Sequence, residues 1–316
     1  MPIKLQMHGV TAALLLPRDE AGKVAWDQFE RNASFVLRQG VSGLCVNGAT
    51  GEYAGATREE RRMAAECARR LAGRDRTVVS GVGATRWDEI QALANDAEEA
   101  GADAVLVPAP HFFRYTTDDL AAFFRRVAAE ARVPVLIYNL PAFTGGIETE
   151  LAVRLIDAGA GIVGVKDSSG ELGLLERLTA NHAQHAAVRI VGSDAVLAEA
   201  LTQGIVDGTV SGVAGVLPEL PLALWRSAMT PRGPLFTRLR AHLDVLLNQI
   251  DVFPTPWGLK LIAAERHLCP ASLGMPVSAE REKQIEEFRC NWPLWWKAAE
   301  GDMGAALGSD VKLRAA

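Results

Sequence analysis

Short apolar runs alternate with stretches of helical periodicity along the first two thirds of the chain. Bounded by glycine and polar turn residues, these runs predict buried strands at 11–16, 43–46, 77–81, 104–107, 135–138, 162–166, 188–192 and 208–211. The segment after Thr117 shows the helical period most clearly. Leu120, Phe123, Phe124, Val127, Ala128 and Ala131 follow the i, i+3, i+4 rule and would share one face. Another helix is predicted to start at Thr57, where Glu60 three residues on completes a capping box. Eight strands alternating with helices predict an α/β fold, a (β/α)8 barrel of the TIM type. A doubly wound open sheet is the rival arrangement.

The pattern changes after about residue 217. From Leu220 onward only helical segments appear, broken by Pro231, Pro234, Pro254, Pro256 and Pro276. The expected organisation is therefore a barrel over 1–217, a helical C-terminal extension over 218–300 and a flexible tail over 301–316. Trp292, Trp295 and Trp296 cluster near the end of the extension, where they read as packing or as a surface buried against another subunit.

Composition narrows the classes of function. The 316 residues are 49% hydrophobic and 22% charged, ordinary for a globular protein with a sizeable core. A net charge of −5 leaves no basic surplus to neutralise phosphates, which argues against nucleic acid as a partner. No apolar run approaches the roughly 20 residues that span a bilayer, and the start lacks the basic-then-apolar pattern of a secretory signal. The expected location is the cytoplasm. Cys45, Cys67, Cys269 and Cys290 form no CxxC pair, so neither a disulfide framework nor a metal site is expected.

Lys166 carries the most information about chemistry. It ends the run Gly161-Ile162-Val163-Gly164-Val165 and is followed at once by Asp167-Ser168-Ser169-Gly170. Only seven lysines occur, and the other six lie near the chain ends or in helical, polar contexts. A strand-end lysine with an apolar base loses solvation, which disfavours the ammonium and predicts a lowered pKa. A neutral amine attacks carbonyls and forms a Schiff base. The plainer reading is a packed stem with the head in water.

In a barrel the loops after the strands gather function. The second strand is followed by Asn47-Gly48-Ala49-Thr50-Gly51-Glu52, which reads as a carboxylate-binding nest or an ordinary tight turn. The fifth is followed by Tyr138-Asn139-Leu140-Pro141. Tyr138 is one of three tyrosines, and a tyrosine there shuttles a proton or simply packs its ring. After the seventh, in Gly192-Ser193-Asp194, Asp194 reads as a helix cap or a substrate contact. Ser211-Gly212-Val213-Ala214-Gly215 after the eighth leaves room for a ligand. An anion-binding turn, a strand-end tyrosine and a strand-end lysine at one mouth describe a site for a 2-oxo acid such as pyruvate.

These motifs together resemble the dihydrodipicolinate synthase and N-acetylneuraminate lyase family of pyruvate-dependent class I aldolases. The resemblance rests on Gly48-Ala49-Thr50-Gly51-Glu52, Tyr138-Asn139-Leu140-Pro141, Gly164-Val165-Lys166-Asp167 and Gly192-Ser193-Asp194, and covers about residues 8–300. It implies that Lys166 forms the Schiff base and Tyr138 moves protons at the reacting oxygen. Thr50 would hydrogen-bond the phenol. Gly48 and the Ala49–Thr50 turn would hold the carboxylate, with the Val210 carbonyl near the lysine. It implies no metal or organic cofactor, small-molecule partners (pyruvate and an aldehyde), and a homotetramer.

Departures from the synthase pattern point to a subtype. Phe143 stands where synthases of this family place an arginine for the aldehyde's carboxylate, and Phe112 where their neighbouring-subunit tyrosine stands. An aromatic ring cannot pair bidentately with carboxylate. Gly192-Ser193-Asp194 resembles the pattern of the family's sugar-acid aldolases, with Asp194 binding substrate hydroxyls, and with the two phenylalanines this favours an aldolase for 2-keto-3-deoxy sugar acids; Ser211 is a further substrate-binding candidate. The alternatives are a dihydrodipicolinate synthase in which Arg114 substitutes for the arginine, a Schiff-base dehydratase, and a non-catalytic 2-oxo-acid sensor.

Overall fold

The computed structural model describes residues 5–181, 187–229 and 233–308. Pro231, Lys4, Lys312 and the tail from 309 lie outside the described residues. Eight parallel strands close into a barrel in chain order: β1 (Gly9–Ala13), β2 (Gly43–Val46), β3 (Thr77–Gly81), β4 (Ala104–Pro108), β5 (Val135–Asn139), β6 (Ile162–Asp167), β7 (Val188–Val191) and β8 (Gly208–Ser211). Thr11 of β1 faces Gly43 of β2 on one side and Val210 of β8 on the other. That double pairing leaves no open edge and excludes the open-sheet rival. Parallel neighbours need long crossovers. These are α1 (Trp26–Arg38), α2 (Arg58–Ala72), α3 (Trp87–Glu99), α4 (Thr117–Glu130), α5 (Thr149–Asp157), α6 (Gly173–Ala180) and α7 (Leu197–Gln203).

Alternation along the strands builds two cores. Met7, Ala13, Cys45, Val79, Leu106, Leu136, Tyr138, Ile190 and Val210 fill the barrel interior. Their strand neighbours Ala12, Leu44, Val78, Val105, Ile137 and Val165 face outward into a second layer under the helices. The helix starts follow local chemistry. Glu60 N–H donates to Thr57 Oγ1 (3.2 Å) and Thr57 N–H to Glu60 Oε2 (2.8 Å), closing the expected box at the start of α2. The first strand is displaced from the expected 11–16. Leu14, Leu15 and Leu16 are buried but lie beyond the ladder, because burial alone does not tell a strand from a packed loop.

After β8 come α8 (Glu219–Met229), α9 (Pro234–Ile250), α10 (Trp257–Glu265) and α11 (Ala279–Leu307). Residues 301–307, expected to begin a flexible tail, instead continue α11, because Met303 and Leu307 are buried. Trp292 and Trp295 stack with centroids 5.3 Å apart, and Trp295 Nε1 donates to the His242 carbonyl (2.9 Å), tying α11 to α9. A buried ion pair joins α8 to the end of α10: Arg266 donates to both oxygens of Glu219 at 2.6 and 2.7 Å. The Arg266 guanidinium also lies over the rings of Phe35 and Trp296. With its charges matched and stacked, this pair anchors α10 against the barrel. No helix among the described residues is long and apolar enough to cross a membrane.

Candidate active site

A cavity of about 290 Å³ opens at the C-terminal ends of the strands, the side where barrels place their chemistry. Lys166, near the end of β6, is 4% exposed and reaches this cavity from the barrel interior. Tyr138 on β5 is its in-register partner, so the two side chains stand side by side on the inward face. Lys166 Nζ lies 4.1 Å from the centre of the Tyr138 ring. Asp167, the next residue, turns away and accepts hydrogen bonds from Asn139 Nδ2 (3.1 Å) and the Ser169 N–H (2.8 Å).

Gly192 is there for space. A Cβ at that position would stand 2.6 Å from Lys166 Cε and 2.2 Å from Ser168 Oγ. Only glycine lets β7 pass the lysine stem, so Gly192 shapes the site through its missing side chain.

The expected lowered pKa of Lys166 is corrected. Burial, the largest influence, does disfavour the ammonium. The neighbouring Tyr138, Cys45 and Asp194 side chains oppose that influence, and the balance lies above the ordinary lysine value. Sequence placed an apolar base under the lysine but could not show which groups from β2, β5 and the β7 loop act on its ammonium. Imine formation therefore requires loss of a proton from a group that rests as an ammonium. Where that step limits, its rate should rise about tenfold per pH unit from about pH 6 to 8, as the free amine fraction grows. Stopped-flow measurement of pyruvate imine formation checks this. A flat profile would mean that the proton passes directly to substrate rather than to solvent.

The turn after β2 is closed by its own backbone. The Gly48 carbonyl accepts from the N–H groups of Gly51 (3.1 Å) and Tyr53 (3.4 Å), and Glu52 N–H donates to the Ala49 carbonyl (2.9 Å). These bonds close the turn and leave the N–H groups of Ala49 and Thr50 without a protein acceptor among the described residues. Both residues line the cavity, whereas Gly48 is buried behind it. Two adjacent unpaired N–H groups beside a cationic lysine suit a carboxylate. Thr50 Oγ1 makes no hydrogen bond to Tyr138 in this structure.

Other expected residues are placed differently. Asp194 lines the cavity, yet its carboxylate is already engaged: Oδ1 accepts from Ser211 Oγ (2.5 Å) and Oδ2 from the Val213 N–H (3.1 Å). It caps the turn after β8 rather than its own helix, and burial raises its pKa. Ser211 is fully buried behind the cavity, its oxygen accepting from the Ala214 N–H (2.9 Å). It is a support and not a wall. Val210 and Phe143 line the cavity. Phe112 does not: 87% exposed, it lines a neighbouring groove with Arg114 and Phe143. Arg114 likewise supplies no charge to this cavity within one chain.

Sequence reading missed two parts of the site. Ser168 lines the cavity with a buried hydroxyl that has no hydrogen-bond partner among the described residues. Its signal was available, since it follows Lys166 by two positions and so shares the inward face. The outer wall comes from the end of α9 through α10, including Leu247, Ile250, Phe253 and Leu259, and nothing local marks that wall. No group of three or more metal-ligating side chains occurs among the described residues.

Residues 6–289 match the Dihydrodipicolinate synthetase family. The chain belongs to this family. It is 32% identical over 285 residues to the 4-hydroxy-tetrahydrodipicolinate synthase of Methanothrix thermoacetophila, an alignment covering 89% of this chain and 95% of that protein. The corresponding synthase of Bartonella bacilliformis is 30% identical over 278 residues, covering 86% and 92%. Among solved structures, the 4-hydroxy-tetrahydrodipicolinate synthase of Methylacidiphilum fumariolicum SolV superposes with a TM-score of 0.83 at 22% identity, covering 95% of this chain and 99% of that one. Membership of the family makes this chain an enzyme of the lyase type on a TIM barrel.

Proposed function

We propose that this family member forms a Schiff base between Lys166 and pyruvate and makes or breaks a carbon–carbon bond to an uncharged aldehyde, with a 2-keto-3-deoxy sugar acid as its substrate. One observation carries the choice of subtype. Lys166 is the only basic side chain among the described residues lining the cavity, while Asp194 and Asp251 are acidic. One carboxylate has a cradle at Ala49 and Thr50, and a second has none. The hydroxyls of Ser168, Ser193 and Thr255 line the same space and suit hydroxylated substrates.

The chemistry follows from the placement of these groups. The Lys166 amine attacks C2 of the 2-oxo acid, and the carbonyl oxygen leaves as water after taking up two protons. Tyr138, beside the amine, relays them. In cleavage, a base removes the proton of the C4 hydroxyl, and the C3–C4 bonding electrons move onto the protonated imine. The aldehyde departs and an enamine remains. Protonation at C3 and hydrolysis then release pyruvate and restore the lysine. Assembly into a homotetramer belongs to the same reading. Phe112, Phe113, Tyr115 and Phe143 expose aromatic surface around one groove, of the kind that marks protein interfaces.

The second reading, 4-hydroxy-tetrahydrodipicolinate synthase, is favoured by the relatives that carry that name. The two differ in the charge of the aldehyde, and a charged hydrogen bond to substrate is worth about 1.5–3 kcal/mol. Cleavage of 2-keto-3-deoxy sugar acids should therefore exceed condensation of pyruvate with aspartate semialdehyde by about ten- to a hundredfold in kcat/KM. Both constants are to be measured on one preparation, with sugar acids of several lengths. Efficient condensation with negligible cleavage would establish the synthase instead.

A further inference from the structure

Two lysines are buried among the described residues, and only one of them is at the reacting centre. The other is Lys260, on α10, expected from its sequence context to be a polar helical position but 5% exposed in the fold. Its ammonium lies 2.7 Å from Glu52 Oε2 and donates to the Ser272 carbonyl (2.7 Å). A desolvated ammonium held by one carboxylate and one carbonyl is a costly arrangement to keep unless its geometry does something.

Glu52 ends the carboxylate-binding turn. Its backbone is left-handed (φ 51°), a conformation that a non-glycine residue adopts only when its surroundings hold it there. Its N–H donates to the Ala49 carbonyl, and that bond helps fix the turn from which Ala49 and Thr50 line the cavity. The carboxylate of Glu52 ties the turn to α10 through Lys260. Leu259, one residue earlier on α10, lines the cavity and lies 2.9 Å from where a Gly212 Cβ would stand. Successive residues of α10 thus reach the cavity and the residue that ends the turn.

We propose that Lys260 is a positioning residue: through Glu52 it holds the turn whose Ala49 and Thr50 N–H groups receive the carboxylate of the 2-oxo acid. The inference rests on the Schiff-base reading above. It assigns α10, which lies outside the eight strands and their crossovers, a part in pyruvate affinity rather than in bond making.

The test measures borohydride trapping of pyruvate at Lys166, by mass spectrometry, across pyruvate concentrations. The proteins are the full-length wild type, Lys260→Met, Lys260→Arg, Glu52→Gln and the double variant Lys260→Met/Glu52→Gln. The half-saturating pyruvate concentration should rise about tenfold in Lys260→Met and in Glu52→Gln, the loss of a positioned charge-assisted contact, while trapping at saturation reaches the wild-type extent. The double variant should be no worse than either single, because the pair acts as a unit. Lys260→Arg, which keeps the charge, should recover most of the affinity. A merely structural ion pair would lower thermal stability and leave half-saturation within about twofold of wild type in folded protein, which overturns the proposal. Loss of trapping at saturating pyruvate in the folded variants overturns it too, since Lys260 would then act on Lys166 and not on the cradle. Should Lys260→Met not fold, Glu52→Gln decides by the same criterion. Failure of the wild type to trap pyruvate at all would overturn the Schiff-base reading, and this inference with it.

Discussion

Lys166→Ala should lose turnover by about four orders of magnitude or more while the barrel stays folded. Lys166 is the only basic side chain among the described residues lining the cavity. Lys260, the second buried lysine, has its ammonium committed to Glu52 and the Ser272 carbonyl. Stability should fall by about 2–5 kcal/mol, the usual cost of truncating a long packed side chain to alanine, because the fold net favours the ammonium and losing that charge brings no compensating gain. Three measurements on one preparation settle the matter: steady-state turnover, a circular dichroism melt, and digestion after pyruvate and borohydride treatment. The wild-type label should lie on the peptide holding Lys166, and the alanine variant should carry none. A label on another lysine with turnover preserved would sink the covalent mechanism.

Tyr138→Phe should lower kcat by about 10²–10⁴-fold, the usual worth of a positioned acid–base group. The ring is retained, and with it the contact to Lys166 Nζ at 4.1 Å and the packing of a side chain only 3% exposed. Folding should therefore be normal, and pyruvate should still be trapped, more slowly and with a similar half-saturation. The split between kcat and affinity separates Tyr138 from Lys260, whose loss is expected to act the other way round. Activity within a few fold of wild type would show that Tyr138 serves packing alone.

The sequence by itself determined the repeating unit and the two residues at its centre. Period-two and period-3.6 patterns are local, so the eight strands, the box at Thr57 and Glu60, and the strand-end positions of Tyr138 and Lys166 could be read without knowing what packs on what. Barrel symmetry then brings those strand ends to one mouth.

Tertiary structure alone decided what faces that mouth from a distance. The wall from Leu247 to Leu259 comes from helices with no strand to place them, and the burial of Lys260 depends on Glu52, about two hundred positions earlier. Asp194 had two local readings, a helix cap and a substrate contact; it caps no helix of its own but the turn after β8, a contact between loops of neighbouring strands, while still lining the cavity. The raised pKa of Lys166 has the same origin, because the field at its ammonium is set by groups from three other elements. Side-chain periodicity records which face of an element is buried. Electrostatics and cavity walls depend on which elements meet, and that is settled only when the chain closes on itself.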